Sequence, residues 1–153
     1  MTRWPALLLL LAFGCQAHAA PLHFDLPRLD GDGQLRLNQF LGQAVVLNFW
    51  ASNCLPCIQE LPVLHAYAAS QPRQRLIGIA IDTRPAAQAY LRRHPASYPQ
   101  ALSSPALLPT FGNQIKGLPY TVIVNSQHQI CTRRLGSVDA AWLAKAVAAC
   151  GGP

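Results

Sequence analysis

The sequence NFWASNCLPC, residues 48–57, decides the fold because it joins a buried strand to a helix through two closely spaced cysteines. Residues 44–50, AVVLNFW, form a nearly continuous apolar run, which is typical of a strand buried on both faces. Residues 55–69 then carry apolar side chains at helical spacing, and Pro62 among them predicts a kink. The question is whether the cysteine pair is a redox couple, half of a metal site or a structural staple.

The local pattern around the cysteines favours a redox couple. A helix beginning near Leu55 places Cys54 at its N-terminus, where unpaired N–H groups and the helix dipole favour a thiolate. Cys57 lies one turn further on the same face, so a disulfide can close, and Pro56 falls where its missing N–H costs little. We predict that Cys54 is the exposed nucleophile and Cys57 the more buried resolving thiol. A static staple is disfavoured because a CxxC disulfide at a helix start is strained.

The surroundings of the cysteine pair do not favour a metal site. Zinc commonly takes two such pairs, and the chain has no second CxxC. Copper(I) favours cysteine together with methionine. The single methionine is Met1, which belongs to the predicted signal peptide described below and would be removed with it. The histidines that follow the predicted signal peptide show no ligand spacing; they are His23, His65, His94 and His128. We therefore expect no metal and no cofactor other than the Cys54–Cys57 disulfide itself.

The rest of the chain alternates strand and helix patterns. We predict a hairpin around residues 31–33, strands at 44–50, 75–82, 120–125 and 129–135, and helices at 55–69, 85–93 and 138–150. Residues 94–109 are rich in proline and are predicted to be mostly loop, with a short helix near Leu107. Parallel strands followed by an antiparallel hairpin imply an α/β fold with a mixed sheet and helices on its faces.

The first residues match an export signal. Arg3 provides a positive start, residues 6–13 are apolar but too short to span a bilayer, and residues 17–19 (Ala-His-Ala) match a cleavage site. We therefore divide the chain into a signal peptide, residues 1–19, and one domain, residues 20–153, exported to the periplasm. Lipid anchoring through Cys15 is the less favoured alternative, because the residues before it match a lipoprotein signal poorly. A retained anchor is disfavoured because the apolar segment is short.

Composition favours one globular domain that does not bind nucleic acid. The 153 residues suffice for one core, and 51% of them are hydrophobic against 12% charged, which argues against disorder. The formal charge is +6, but the basic residues are scattered rather than interleaved with aromatic residues. We expect a solvated basic surface with at most a mild preference for acidic partners.

Three segments resemble one family. Residues 45–64, VVLNFWASNCLPCIQELPVL, resemble the active-site segment of the thioredoxin superfamily, and in particular of exported TlpA/ResA-like thiol–disulfide oxidoreductases. Residues 117–125, GLPYTVIVN, resemble the cis-proline loop and the strand after it, and residues 29–50 resemble the N-terminal hairpin of that branch. The resemblance implies a thioredoxin-like three-layer fold, with a mixed central sheet flanked by helices and an N-terminal hairpin extension.

The resemblance also implies roles for single residues. Cys54 matches the attacking cysteine and Cys57 the resolving one. Pro119 matches the cis-proline beside the disulfide, and an ordinary trans turn proline is the alternative. Leu118 would offer backbone groups to an extended substrate segment, and Trp50 matches the aromatic residue that flanks the active site.

Two positions depart from the family pattern. Asn53 stands where an aromatic residue often precedes the first cysteine, which makes the rim more polar. Asn48 stands where the thioredoxins proper carry a buried aspartate, and an asparagine cannot accept the proton that Cys57 must lose. Glu60, one turn after Cys57, is our candidate for that proton acceptor. The alternative for Glu60 is a surface residue that favours the early part of a helix.

The residues between the cysteines bear on the direction of electron flow. Leu55 and Pro56 include no histidine or lysine that would strongly stabilise the thiolate, so we expect a reducing couple. The resemblance implies protein disulfides as substrates, a membrane-embedded thiol donor, and a role in cytochrome c maturation or in repair of exported proteins. We expect a monomer. The alternatives are a net oxidase or isomerase, or a non-catalytic copper-binding module; a thiol peroxidase is disfavoured.

A second cysteine pair lies near the C-terminus. Cys131 is near the start of the last predicted strand, and Cys150 ends the last predicted helix. The strand from Cys131 spans roughly 16 Å and the helix roughly 18 Å, so antiparallel packing brings the two cysteines together. We predict a structural Cys131–Cys150 disulfide, with two free thiols as the alternative.

Overall fold

A five-stranded mixed sheet forms the centre of the structure, which is a computed structural model that describes residues 20–70 and 76–151. The strands and helices are β1 (Asp25–Pro27), β2 (Gln34–Arg36), β3 (Val45–Trp50), α1 (Leu55–Ser70), β4 (Leu76–Ile81), α2 (Arg84–Arg93), β5 (Gln100–Ser103), β6 (Tyr120–Val124), β7 (Ile130–Leu135) and α3 (Ala140–Ala149). Two 3₁₀ segments, Leu37–Phe40 and Pro105–Phe111, complete the fold.

The central sheet has the strand order β5-β4-β3-β6-β7. β3 pairs with β4, and β4 with β5, in parallel, whereas β6 and β7 are antiparallel to their neighbours. All six residues of β3 are buried, as the apolar run predicted. β1 and β2 form a separate antiparallel hairpin. The predicted mixed sheet and N-terminal hairpin are therefore confirmed.

Alternate residues of β3 face two different layers. Val45, Leu47 and Phe49 belong to a core that includes residues of the hairpin and of the segment Pro105–Phe111. Val46 and Trp50 belong to the cores that include side chains of the three α-helices. α1 and α2 share one face because the two β-α-β connections run in the same direction along the sheet, with the hand that such connections take. α3 lies on that face too, since its side chains share a core with Leu64 of α1.

The proline-rich stretch contains a strand that the sequence did not predict. Residues 94–109 were expected to be mostly loop, but Gln100–Ser103 forms the edge strand β5. The strand has only four residues and follows Pro99 directly, so its apolar pattern is too short to stand out. The short helix expected near Leu107 is present as the 3₁₀ segment Pro105–Phe111.

The C-terminal helix is tied to the sheet. Cys131 and Cys150 form a disulfide with an S–S distance of 2.07 Å and a Cα–Cα distance of 5.7 Å. The bond joins the beginning of β7 to the residue after α3, as the element lengths predicted.

The predicted signal peptide, residues 1–19, lies outside the described residues. Within residues 20–70 and 76–151, no helix has the length and apolar character needed to cross a membrane.

Candidate active site

The first cysteine pair forms a disulfide at the N-terminus of α1. The S–S distance is 2.06 Å and the Cα–Cα distance is 5.3 Å. Cys54 is partly exposed, whereas Cys57 is 1% exposed. The Cys57 N–H points at Cys54 Sγ at 3.3 Å, so the first turn of the helix supplies a donor to the sulfur that would carry a thiolate. The two sulfurs thus differ in access, as a nucleophile and a resolving thiol must.

The loop before Cys54 is held by an aspartate at the end of β4. Asp82 Oδ2 accepts a hydrogen bond from the Ser52 N–H at 2.8 Å, and Asp82 Oδ1 accepts one from the Thr83 N–H at 2.7 Å. This carboxylate therefore fixes the active-site loop to the start of α2. We did not predict a role for Asp82 from the sequence, although an Asp directly after a buried strand is a signal that could have found it.

The Leu118–Pro119 loop lies beside the cysteines. The peptide bond between these residues is cis, and Pro119 is buried. Leu118 packs with Cys54 against the core formed by Cys57 and its neighbours. Among the described residues, the Leu118 N–H and C=O make no backbone hydrogen bond. Both groups are thus available to another chain.

Trp50 lies beneath the cysteines and not at the surface. Its side chain is 2% exposed, its ring packs on Tyr90 with centroids 5.5 Å apart, and it shares a core with Cys57. The indole Nε1–H donates to Gln100 Oε1 at 3.0 Å. Trp50 was expected to flank the active site as part of the substrate-binding set; in the structure its side chain is buried, and a contact with substrate stays a prediction. Trp50 instead supports Cys57 from below.

Glu60 is a buried carboxylate. Its side chain is 2% exposed, which excludes the alternative of a surface glutamate. Asn48 Nδ2 donates to Oε1 at 2.8 Å, and the Val138 N–H donates to Oε2 at 2.9 Å. Loss of hydration raises the pKa of Glu60, and these two hydrogen bonds and the nearby Arg134 charge only partly oppose that rise. A buried carboxylate with a raised pKa therefore lies one helical turn after Cys57.

Asn48 belongs to a row of residues at one level of the sheet. Strand register places Gln100, Gly78, Asn48, Thr121 and Arg134 opposite one another on successive strands. Asn48 Nδ2 also donates to Thr121 Oγ1 at 3.1 Å. A side chain on Gly78 would collide with the Gln100 amide, so the glycine leaves the space in which that amide reaches Trp50. We did not predict Gln100 or Gly78, since the row exists only once the strands are paired.

Within the two described segments of the chain, no group of three or more His, Cys, Asp and Glu side chains is placed to hold an ion.

Comparisons with known proteins agree with this geometry. The AhpC/TSA family matches residues 17–141. The chain is 35% identical over 122 residues to "Thiol:disulfide interchange protein DsbE" of Allochromatium vinosum, covering 76% of this chain and 65% of the relative. It is 26% identical over 121 residues to "Thiol-disulfide oxidoreductase ResA" of Halalkalibacterium halodurans, covering 76% and 67%. The chain thus spans about two thirds of the length of these curated relatives.

A solved structure shares the fold. A thioredoxin-related protein from Neisseria meningitidis serogroup B superposes with a TM-score of 0.73 at 25% sequence identity, covering 82% of this chain and 98% of that one. The thioredoxin-like fold inferred from the sequence is therefore confirmed. Since the family match extends over most of the sequence, the chain belongs to the AhpC/TSA family within the thioredoxin superfamily.

Proposed function

We propose that this protein is an exported thiol–disulfide oxidoreductase that reduces disulfides in other proteins. The observation that carries the proposal is the Cys54–Cys57 pair, with one sulfur partly exposed at a helix N-terminus and the other buried near a carboxylate. The names of the two curated relatives support the same chemistry.

The reaction proceeds through two exchanges. The Cys54 thiolate attacks one sulfur of the substrate disulfide, and the other substrate sulfur leaves as a thiolate. Cys57 then loses its proton and attacks Cys54 Sγ, which releases the second substrate thiol and forms the Cys54–Cys57 disulfide. Two electrons pass to the substrate, and the protein must be reduced again before the next cycle.

Glu60 accepts the proton that Cys57 loses. Its burial and its raised pKa support this role. A carboxyl group of raised pKa has a proton affinity closer to that of a thiol than an exposed carboxyl group has, so it accepts the thiol proton more readily. The hydrogen bonds from Asn48 and Val138 hold both carboxylate oxygens in place.

Leu118 binds the substrate backbone. Its unpaired N–H and C=O, and its packing on the same core as Cys54, suit an extended segment that adds as a short strand. Pro119, buried behind it, positions this backbone.

The compartment and the electron donor are part of the same proposal. The signal-like residues 1–19 and the structural Cys131–Cys150 disulfide support an oxidising compartment such as the periplasm. A reductase there needs a thiol donor in the membrane. We propose two alternative roles for the protein itself, which are cytochrome c maturation and repair of exported proteins.

The reduction potential of the Cys54–Cys57 couple tests the proposal. It is measured by dithiothreitol titration of the mature protein with Cys131→Ser and Cys150→Ser, so that one couple titrates. We expect a value near or below that of thioredoxin, about −270 mV. A value of about −120 to −180 mV would instead establish an oxidase or isomerase.

A further inference from the structure

The loop before the Leu118–Pro119 bond is braced from within. Asn113 is 3% exposed, and its Nδ2 donates to the Gly117 C=O at 2.7 Å. Its Oδ1 accepts from the Gly117 N–H at 3.3 Å. One buried amide therefore satisfies both backbone groups of Gly117 and fixes the shape of residues 113–117.

This braced loop presents an apolar side chain to solvent. Ile115 is 77% exposed and Leu135, at the end of β7, is 48% exposed. A side chain on Gly117 would contact both, with Leu135 Cδ1 at 2.9 Å and Ile115 Cδ1 at 3.7 Å, so the two residues flank Gly117. Leu118, the next residue, packs against the same core as Cys54. The apolar pair is thus continuous with the edge of the active site.

The positively charged side chain of Arg133 lies next to Ile115 and Leu135. Arg133 lines a cavity of about 300 Å³ together with Ile115 and Leu135. Its guanidinium lies over Gly112, where a side chain would collide with it, and Gly112 has a φ of +85° that suits glycine. Among the described residues Arg133 has no ion pair, and no acidic residue lines the cavity. The arginine therefore lies against Gly112 without a compensating charge.

We propose that Arg133, Ile115 and Leu135 form a substrate subsite that takes an acidic side chain next to an apolar one. The inference rests on the proposed function, because it takes the substrate to be an extended segment paired with Leu118. The Arg133 guanidinium would bind the carboxylate through paired N–H donors, and the apolar side chain would cover Ile115 and Leu135. Lys116, exposed on the same loop, adds to the positive charge that the segment meets.

Two matched peptides test the subsite. Each is an extended peptide with one cysteine and a leucine on each side of it, flanked by aspartates in one peptide and by lysines in the other. Each is supplied as its mixed disulfide with thiopyridine. The reduced protein, carrying Cys131→Ser and Cys150→Ser, attacks the peptide sulfur, and the release of thiopyridone gives the second-order rate constant.

The charge-reversed variant separates the two peptides. We expect the unmodified subsite to favour the aspartate peptide, and Arg133→Glu to slow its reduction about tenfold while speeding that of the lysine peptide. Lys145→Glu is the matched control, since Lys145 is exposed on α3 and the change in charge is the same. Equal effects of Arg133→Glu on both peptides, or no effect on either, would overturn the subsite.

A second pair of variants tests the apolar part of the subsite. Ile115→Ser should slow both peptides about threefold to tenfold through lost apolar contact. Leu41→Ser should leave them unchanged, because Leu41 is 69% exposed but precedes β3, at the end of the sheet opposite to the cysteines. An equal loss in Leu41→Ser would show a general effect on the protein and count against the subsite.

Failure of the subsite is distinguishable from failure of the proposed function. Reduction of dithiodipyridine, a small neutral disulfide, reports the Cys54–Cys57 chemistry and should be the same in Arg133→Glu. Serine versions of the two peptides, which cannot exchange, report binding to the oxidised protein by fluorescence anisotropy. Preferential binding of the aspartate peptide that Arg133→Glu abolishes supports the subsite even without turnover, and equal binding of both peptides contradicts it.

Discussion

At the scale of single residues, Glu60 is the residue whose environment best explains a chemical role. The carboxylate is buried, and its two oxygens accept hydrogen bonds from Asn48 and Val138. The sequence identified Glu60 by its spacing from Cys57, but could not show its burial, since Val138 approaches from a distant part of the chain. The asparagine that replaces the usual buried aspartate is therefore a donor that orients the carboxylate.

Replacing Glu60 by glutamine should slow the attack of Cys57 on the mixed disulfide. We expect a loss of about 100-fold near neutral pH in Glu60→Gln, because the substitution removes the proposed proton acceptor and keeps the shape. The loss should shrink as pH rises and hydroxide takes the proton. Stopped-flow release of the substrate thiol as a function of pH measures this, with Asp32→Asn, an exposed hairpin position, as the control. A loss that does not vary with pH would point to a structural role.

The same substitution should change the pH dependence of stability. The pKa of Glu60 is higher in the folded than in the unfolded protein, because burial disfavours the charged form. The contribution of this group to stability is therefore complete below the unfolded pKa and is lost as pH rises through the folded pKa. Glu60→Gln does not titrate, so its stability relative to the parent should increase from about pH 4 to about pH 8. Urea unfolding at both values measures it, and a relative decrease would mean that the hydrogen bonds outweigh burial.

Gly78 is required by the position of the Gln100 amide. In Gly78→Ala the new methyl group would displace that amide and break its hydrogen bond with the Trp50 indole. We expect a loss of about 1–3 kcal/mol in the free energy of unfolding and a shift of the Trp50 indole N–H resonance. Gly31→Ala is the matched control, since a side chain there meets no atom within 4 Å. Unchanged stability in Gly78→Ala would show that Gln100 can move without cost.

At the scale of elements, strands and helices with long apolar patterns were predictable, whereas the short edge strand β5 was not. β3 follows from a six-residue buried run, and α1 from the apolar spacing after the cysteines. β5 has four residues behind a proline and becomes a strand only because it pairs with β4. The sequence placed Trp50 in the buried strand and beside the active site, but it could not show that the ring packs on Tyr90 and donates to Gln100.

The disulfide between β7 and α3 should act on stability and not on turnover. Its cysteines are 19 residues apart, and the chain-entropy estimate for a loop of this size is about 3 kcal/mol. Cys131→Ser with Cys150→Ser should lower the free energy of unfolding by about that amount in urea. The rate of dithiodipyridine reduction by the Cys54–Cys57 pair should change less than about twofold, since the second disulfide lies outside that site. A large loss of rate with little loss of stability would instead assign the second pair a redox role.

At the scale of the whole molecule, the fold brings the redox pair, the carboxylate and the cis-proline loop to one end of the sheet. α1 contributes the cysteines and Glu60, β3 contributes Asn48, and the segment before β6 contributes Leu118 and Pro119. Leu118 and Pro119 are far in sequence from the other residues, and the pairing of β6 with β3 brings them to the same end of the sheet. The family resemblance predicted these site residues from the sequence, whereas the contacts among them could be seen only in the structure.

The arrangement predicts which redox form of the molecule is more stable. In the reduced form the partly exposed Cys54 thiolate is stabilised by the Cys57 N–H at the start of α1, and no histidine or lysine between the cysteines stabilises it further. Closing the four-residue disulfide loop also restricts the unfolded chain, by about 2 kcal/mol on the chain-entropy estimate. Oxidised protein carrying Cys131→Ser and Cys150→Ser should therefore unfold at a higher urea concentration than its dithiothreitol-reduced form, with a difference of about 2 kcal/mol or more. Since strong disulfide oxidants have the more stable reduced form, a reversed order would contradict a reductase, with about 1.4 kcal/mol corresponding to 30 mV.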